Sequence, residues 1–197
     1  GQSILMQNYR QFIHQEYGVR QLLVEHTHFN DPEKREHIRR LLIRAAQQKT
    51  IPIVNYNDPV SDEENRKMEL AIRRSHGDQV VECVDNDETA AVIANLVHAK
   101  KLVLMTSTEG IYRDPADPKT LVEQVTVKSM EELEEKVRQL QEICVGASRA
   151  GANGAKAKLE YALKSARQGT MVIIGHARHR LSDLVEGRVA CTRIGLE

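Results

Sequence analysis

The stretch that decides the fold runs from Asp85 to Asp114 and reads DNDETAAVIANLVHAKKLVLMTSTEGIYRD. A short apolar run at Val80–Val84 precedes it, an apolar helical pattern covers Ala90–Val97, and a second apolar run covers Leu102–Met105. Short apolar runs on either side of a buried helix are typical of parallel strands that are covered on both faces. The pattern therefore predicts a strand, a helix and a strand in an α/β fold.

Short polar side chains follow each of these predicted strands and also an earlier one at Ile51–Val54. The three polar groups are Asn55-Tyr56-Asn57-Asp58, Asp85-Asn86-Asp87 and Thr106-Ser107-Thr108. Because parallel sheets bind ligands at the carboxyl ends of their strands, these turns are candidate binding corners. Two simpler interpretations stay open. The first group has the residues of any turn, and Asp87 could be a plain helix cap.

Periodicity and turn residues predict the remaining elements. They are a core-facing helix with Leu5, Met6, Tyr9, Phe12, Ile13 and Tyr17 that ends at Gly18; a strand at Gln21–Val24; a helix capped at Asn30-Asp31-Pro32; a charged surface helix at Ser61–His76; a loop at Asp114–Pro118; an edge strand within Leu121–Val127; a helix capped by Ser129; a helix at Ala155–Gln168; a strand at Met171–Ile174; a helix at Leu181–Glu186; and a last edge strand at Arg188–Ile194. The helix at Ser61–His76 is a candidate flap or oligomer contact, and we expect a homo-oligomer.

Composition narrows the functional classes. The 197 residues predict a single domain, and 28 basic against 28 acidic residues favour neither nucleic acid nor a membrane surface as partner. Three widely spaced cysteines indicate reduced core thiols, and no apolar stretch reaches the length of a membrane span, so we expect a cytoplasmic protein. The start at Gly1 runs directly into a helical pattern, which we expect to be an interior point of a longer protein.

A glycine-rich loop at Gly146–Gly154 opens the predicted helix that carries Lys156 and Lys158. Helix amino termini attract anions, and phosphoryl transfer needs positioned cations with a carboxylate to hold them. Lys158 fits the cation that draws charge from the phosphate, and Asp87 fits the carboxylate that orients lysines or a magnesium ion. No Gly-x-Ser-x-Gly motif supports nucleophilic catalysis.

Four basic residues crowd the end of the strand at Met171–Ile174, namely His176, Arg178, His179 and Arg180. They could bind an anion. We interpret them instead as a solvated turn, because no carboxylate that a histidine metal site would need is found nearby in the sequence. No metal ligand set is predicted.

Taken in order, these stretches resemble the amino acid kinase family, and within it the bacterial glutamate 5-kinases. Asp85-Asn86-Asp87 is identical to a motif of that family, and Leu104–Tyr112 resembles its Leu-Leu-Thr-Asp-x-x-Gly-Leu-Tyr. Ile51–Asp58 resembles Ile-Pro-Ile-Ile-Asn-Glu-Asn-Asp, and Gly151–Lys158 lies over Gly-Thr-Gly-Gly-Met-x-Thr-Lys. The implied fold is a three-layer sandwich with a mostly parallel sheet between helices.

The resemblance also implies roles for individual residues. Asn57, Asp58 and Asn86 would hold the amino acid substrate, Lys158 would stabilise the transferred phosphoryl group, and Asp87 would organise the lysines. ATP would be held by Thr106, Ser107, Ala152, Asn153, Gly154, Ala155, Lys156, Ala157 and Lys158. The implied reaction uses ATP and Mg²⁺ to convert L-glutamate into its 5-phosphate, the first step of proline synthesis.

The sequence also departs from the family pattern. The family begins with a lysine-bearing strand and two glycine loops, which we expect this domain of residues 1–197 to lack. Tyr56 replaces a family Glu, Ser107 an Asp, and Asn153-Gly154-Ala155 the Gly-Gly-Met. Two alternatives therefore stay open, namely the same fold acting on another acceptor such as uridylate, and a ligand-binding relative without turnover.

Overall fold

The computed structural model describes residues 1–57, 63–75, 80–83, 85–114, 116–144 and 154–197. The chain forms two compact units, Gly1–Asn86 and Asp87–Glu197. Helices alternate with strands in both, and three of the four strand pairings in the described residues are parallel. The predicted α/β class with mostly parallel sheet is therefore confirmed, whereas the single domain stays a prediction. In the described ranges, no helix is long and apolar enough to cross a membrane.

The first unit contains a parallel two-stranded sheet flanked by helices. Its elements are α1 (Gln2–Phe12), β1 (Gly18–Val24), α2 (His26–Asn30), α3 (Pro32–Gln47), β2 (Thr50–Tyr56) and α4 (Glu63–Ser75). Asp31 caps α3 as predicted, because its carboxylate accepts the backbone N–H groups of Glu33 at 2.9 Å and Lys34 at 3.0 Å. Ile38, Leu42 and Ala45 form the buried face of this helix.

Helix α1 differs from its prediction. It ends at Phe12, none of its residues is buried, and the side chain of Phe12 is 82% exposed. Gly18 does not end the helix but begins β1. The core-facing prediction is therefore wrong for this structure. An amphipathic pattern shows only that a helix has an apolar face, and it does not identify what covers that face.

The second unit contains a four-stranded sheet in the order β3-β5-β6-β4. Its elements are α5 (Asn86–Leu96), β3 (Lys101–Thr106), β4 (Gln124–Val127), α6 (Met130–Cys144), α7 (Gly154–Ala166), β5 (Met171–His176), α8 (Leu181–Glu186) and β6 (Thr192–Leu196), with a short 3-10 helix at Pro118–Thr120. β3 and β5 are parallel, β4 and β6 are parallel, and β5 and β6 are antiparallel.

Helices cover both faces of this sheet. Val172 and Ile174 of β5 belong to the main core cluster, together with residues of α5, α6 and α7. Ile173 lies between them in sequence and packs in a second cluster with Leu184 of α8 and Cys191. Because successive strand side chains point to opposite faces, the unit has helix, sheet and helix layers. Cys83 and Cys191 are buried thiols, as predicted.

Strand β6 is not the edge strand that the sequence predicts. It lies between β5 and β4, and β4 forms the edge. The charged residue of this inner strand, Arg193, donates hydrogen bonds from its guanidinium to the carbonyl oxygens of Leu184 at 3.0 Å and Val185 at 2.9 Å. Both carbonyls belong to the last turn of α8, whose carbonyl groups lack regular partners within the helix, and that of Leu184 also accepts the Gly187 N–H at 3.3 Å.

The run Val80–Cys83 is not a strand, which corrects the prediction over its described residues. The side chain of Asn30 accepts the Val81 N–H at 2.8 Å and donates to the Val81 carbonyl oxygen at 2.7 Å. Cys83 adopts a φ of 52°, which ends any extended path. Apolar composition alone could not separate this buried segment from a strand.

Candidate functional site

The carboxyl ends of β3 and β5 lie side by side, with Thr106 opposite His176. Helix α5 precedes β3 through residues 97–100, and α7 precedes β5 through residues 167–170. Such short connections reverse the chain, and Thr170 Oγ donates to the Ala99 carbonyl at 2.7 Å where the two turns meet. Both helices therefore run antiparallel to their strands, so that their amino termini point to the edge where β3 and β5 end.

An ion pair joins the two helix amino termini at this edge. Lys158 of α7 donates from Nζ to Oδ2 of Asp87, which lies in the first turn of α5. The Lys158 side chain is 21% exposed and that of Asp87 is 25% exposed, so both partners are partly buried. The two residues predicted as catalytic are therefore in direct contact, although 71 positions separate them in sequence.

The residues predicted to hold ATP fall on the same unit. Thr106 is half-buried at the end of β3, Ser107 is exposed beside it, and Gly154–Lys158 form the start of α7. Gly154 has a φ of +37°, a backbone conformation that L side chains rarely adopt. Ala152 and Asn153 lie outside the described residues, as does most of the glycine-rich loop. The described part thus presents backbone N–H groups and Lys158 at one helix amino terminus.

Glu109, a carboxylate that no sequence pattern singled out, follows three residues after Thr106. Glu109 accepts hydrogen bonds from Arg178 and from His179, the latter at 2.6 Å, and its side chain is 16% exposed. The expectation that no carboxylate lies near His176–Arg180 is therefore wrong, whereas Arg178 and Arg180 are exposed, as expected for a solvated turn. The Ala177 N–H also donates to the Thr106 carbonyl at 2.8 Å, so these contacts fasten the turn after β3 to the turn after β5.

The first unit carries its own polar edge, where β1 and β2 end. Asn57 follows β2, is half-buried, and donates from Nδ2 to Oε1 of Glu25 at 2.7 Å. Asp58, its predicted partner in substrate binding, lies outside the described residues. Asn86 begins α5 and is exposed. Of the three predicted substrate residues, Asn57 is therefore the one whose side-chain contacts the structure describes.

A buried histidine, also missed from sequence, stands at the same edge of the first unit. His26 lies 3.1 Å from the Tyr56 hydroxyl through Nδ1 and 3.2 Å from Glu69 Oε2 through Nε2. Only 6% of His26 is exposed. Glu25 and His26 directly follow β1, so their place after a parallel strand was a usable signal. Glu69 and Glu109 gave no such signal, because only the folded chain brings them to their partners.

Comparison with known proteins agrees with this architecture. The model of the amino acid kinase family matches residues 1–176. A carbamate kinase from Giardia lamblia, solved with AMP-PNP bound, superposes with a TM-score of 0.53 at 16% identity, over 81% of this chain and 44% of that chain. At that identity the match supports the fold alone. The fold and the family match together define the class, and the chain belongs to the amino acid kinase family.

Curated relatives extend along the whole chain. The glutamate 5-kinase of Geobacillus thermodenitrificans is 30% identical over 199 residues, covering 100% of this chain and 48% of that protein. The delta-1-pyrroline-5-carboxylate synthase A of Arabidopsis thaliana is 30% identical over 192 residues, covering 95% of this chain and 24% of that protein. The chain therefore spans about half the length of this glutamate 5-kinase.

Proposed function

We propose that this chain belongs to an ATP-dependent phosphotransferase whose acceptor is the side-chain carboxylate of glutamate. The observation that carries the proposal is the Lys158–Asp87 ion pair between the amino termini of α7 and α5. The family resemblance predicts a role for each of these two residues, and the fold brings them together within one unit.

The ion pair suits phosphoryl transfer for an electrostatic reason. The moving phosphoryl group spreads negative charge over its oxygens, and a fixed cation stabilises that charge without reorganising. Partial burial strengthens the effect, because the effective dielectric constant is lower there than in bulk water. Asp87 holds the ammonium group of Lys158 in place. Lys158 would therefore act on the phosphoryl group, with Asp87 as its positioning residue.

The residues at this edge also fit a nucleotide with magnesium. The amino terminus of α7 offers backbone N–H groups to phosphate oxygens, and Thr106 and Ser107 offer hydroxyl groups. Asp87 supplies carboxylate oxygen, the ligand type that Mg²⁺ prefers. When bound, the metal would neutralise charge on the phosphates. Thr106, Ser107 and Gly154–Lys158 would hold the nucleotide, and Asp87 is the described residue suited to hold the metal.

The glutamate acceptor is supported by the names of the relatives. The match to a glutamate 5-kinase runs through both units, including Asn57 and Asn86. We assign the amino acid to Asn57, Asp58 and Asn86, as the family resemblance implies. The product would be an acyl phosphate, because the acceptor oxygen belongs to a carboxylate, and it would enter proline synthesis.

ADP release from the full-length protein tests this assignment. The protein is incubated with ATP and Mg²⁺ and with one acceptor at a time, drawn from amino acids and nucleoside monophosphates. We expect release above background with L-glutamate. ADP release with uridylate but not with any amino acid would show that the phosphoryl acceptor is a nucleotide. Binding of nucleotide without release for any acceptor would identify a relative without turnover.

A further inference from the structure

Glu25 and Asn57 form a fixed pair at the carboxyl edge of β1 and β2. Each follows its strand directly, and the sheet continues through them because the Asn57 N–H donates to the Val24 carbonyl at 2.9 Å. The Asn57 side chain donates from Nδ2 to Glu25 Oε1 at 2.7 Å, and both residues are half-buried. The pair thus joins two neighbouring strand ends at a position where α/β proteins bind ligands.

The chemistry of Glu25 determines which atom of Asn57 it contacts. An ionised carboxylate has no proton and only accepts hydrogen bonds, so the amide nitrogen of Asn57 must face it. The amide oxygen is then left on the other side, and no hydrogen bond to it is found in the described part of the chain. Asn57 is therefore held as an acceptor, whereas an unconstrained asparagine could rotate to present either atom.

The surrounding contacts hold Glu25 in place. Its backbone N–H donates to Nδ1 of His28 at 2.9 Å. The next residue, His26, is buried and contacts Tyr56 and Glu69 through its two ring nitrogens. Because these contacts already restrict the backbone of Glu25, its carboxylate loses little conformational entropy when it orients Asn57.

We infer that Glu25 is a positioning residue that presents the Asn57 amide oxygen to the substrate that receives the phosphoryl group. The group of that substrate that donates to this oxygen is a primary ammonium. The inference rests on the proposed function. It explains why the site would bind an amino acid and not a nucleoside monophosphate. An amino acid provides an ammonium group for this oxygen. A nucleoside monophosphate brings a phosphate, whose oxygens would meet the Asn57 oxygen and the Glu25 charge unfavourably.

The test compares L-glutamate with glutarate, which has the same two carboxylates but no ammonium group. In the full-length protein, Glu25→Gln replaces an obligatory acceptor by an amide that accepts or donates, so Asn57 is no longer forced into one orientation. We expect kcat/KM for L-glutamate to fall about tenfold, through KM, as is typical for a hydrogen bond to a charged group. The KM values for glutarate and ATP should stay within about twofold, because neither is served by that oxygen.

Two further variants separate positioning from a structural effect. Asn57→Leu should lose the same discrimination, and the double variant should lose no more than Asn57→Leu alone, because Glu25 acts through Asn57. Glu36→Gln changes a half-buried glutamate of α3 that pairs with Arg39 and Arg40, and it should leave discrimination unchanged. Circular dichroism and the melting temperature establish that each variant is folded.

The outcomes distinguish this inference from the proposed function. ADP release with unchanged discrimination between L-glutamate and glutarate in Glu25→Gln would overturn the inference and leave the function standing. If the wild-type protein releases no ADP with any acceptor, the proposed function fails, and calorimetric binding of the two ligands then decides the inference. Equal affinity for L-glutamate and glutarate, or no binding of either, would overturn it.

Discussion

Lys158 is the side chain on which the proposed chemistry most depends. Replacing it by Ala removes the cation that we propose to act on the phosphates, and it leaves the half-buried Asp87 carboxylate without this partner. We expect kcat to fall by about 10²–10³-fold, the usual loss when one electrostatic contact to a transition state is removed. Steady-state assays of ADP release measure the loss.

The matched control is Lys164→Ala, in the last turn of the same helix. Lys164 pairs with Glu160 along α7 and has no part in the proposed site. We expect kcat within about twofold of wild type, because a surface ion pair contributes little. Equal losses in the two variants would show that the Lys158 effect is not electrostatic.

The helix cap at Asp31 predicts a pH-dependent stability. Hydrogen bonds from the backbone N–H of Lys34 and then that of Glu33 lower the pKa of Asp31 from its ordinary 3.8. Because the pKa of Asp31 is lower in the folded state, its carboxylate stabilises the fold fully at pH values above the ordinary pKa. This stabilisation is lost as the pH falls from the ordinary pKa through the lowered pKa of the folded state. We therefore expect Asp31→Ala to lower the melting temperature at pH 7 more than at pH 3.

Asn also caps helices but does not titrate, which makes Asp31→Asn the control. Thermal melts monitored by circular dichroism should place it between wild type and Asp31→Ala at pH 7. A difference between wild type and Asp31→Ala that does not change with pH would mean that the carboxylate charge has no part in the cap.

Residues within a local motif or a family motif were predictable from sequence, and many of their partners across the fold were not. Asp31 stands at a helix start, where a side chain acts on backbone groups close to it in sequence. Lys158 and Asp87 were predicted from their chemistry and from the family resemblance, although they pair across 71 positions. Glu109 meets His179 across 70 positions, and His26 meets Glu69 across 43. No periodicity records such pairs, because they depend on which turns the strands place side by side.

The turn after β3 is held by Glu109, and this predicts a stability effect. Glu109 is half-buried and accepts from Arg178 and His179 of the turn after β5. Glu109→Ala leaves both partners without a carboxylate and should lower the free energy of unfolding by about 1–3 kcal/mol. Urea denaturation measures it. Glu142→Ala, on an exposed position of α6, should change it by less than about 0.5 kcal/mol.

Polar contacts from described residues of α4 fasten this helix to the segment that follows β1. Glu69 contacts His26, Arg73 donates to the Asn30 carbonyl at 3.2 Å, and Leu70 is buried. Removing one contact should raise the population of locally open states without unfolding the unit. We expect Glu69→Ala to speed amide hydrogen exchange in α4 about tenfold. Glu33→Ala on the exposed side of α3 should not, and unchanged exchange in both would remove Glu69 from the anchor.

Element predictions succeeded where local pattern and tertiary setting agree. The cap of α3, the start of α7 and the end of α8 at Glu186 are local features, and Gly187 after α8 has a φ of 71°. The strand at Val80–Cys83 and the edge position of β6 failed for tertiary reasons. In one case an asparagine side chain satisfies the backbone of Val81, and in the other the carbonyls of α8 accommodate Arg193.

The whole chain is a recognisable part of the amino acid kinase family, because its motifs follow the family order. The family model covers residues 1–176. Most of the strands, helices and strand ends lie at the positions that the resemblance implies. The chain spans 48% of the length of a curated relative, and the acceptor stays a proposal. Oligomeric state and cellular location stay predictions.

Direct capture of the product tests the central claim that the Lys158–Asp87 edge drives transfer to a carboxylate. The full-length protein is incubated with ATP, Mg²⁺ and L-glutamate in the presence of hydroxylamine, which converts acyl phosphates into hydroxamates. We predict one hydroxamate formed for each ADP released by the wild-type protein, and almost none by Lys158→Ala. ADP release without hydroxamate, or equal hydroxamate yields from both proteins, would contradict the account.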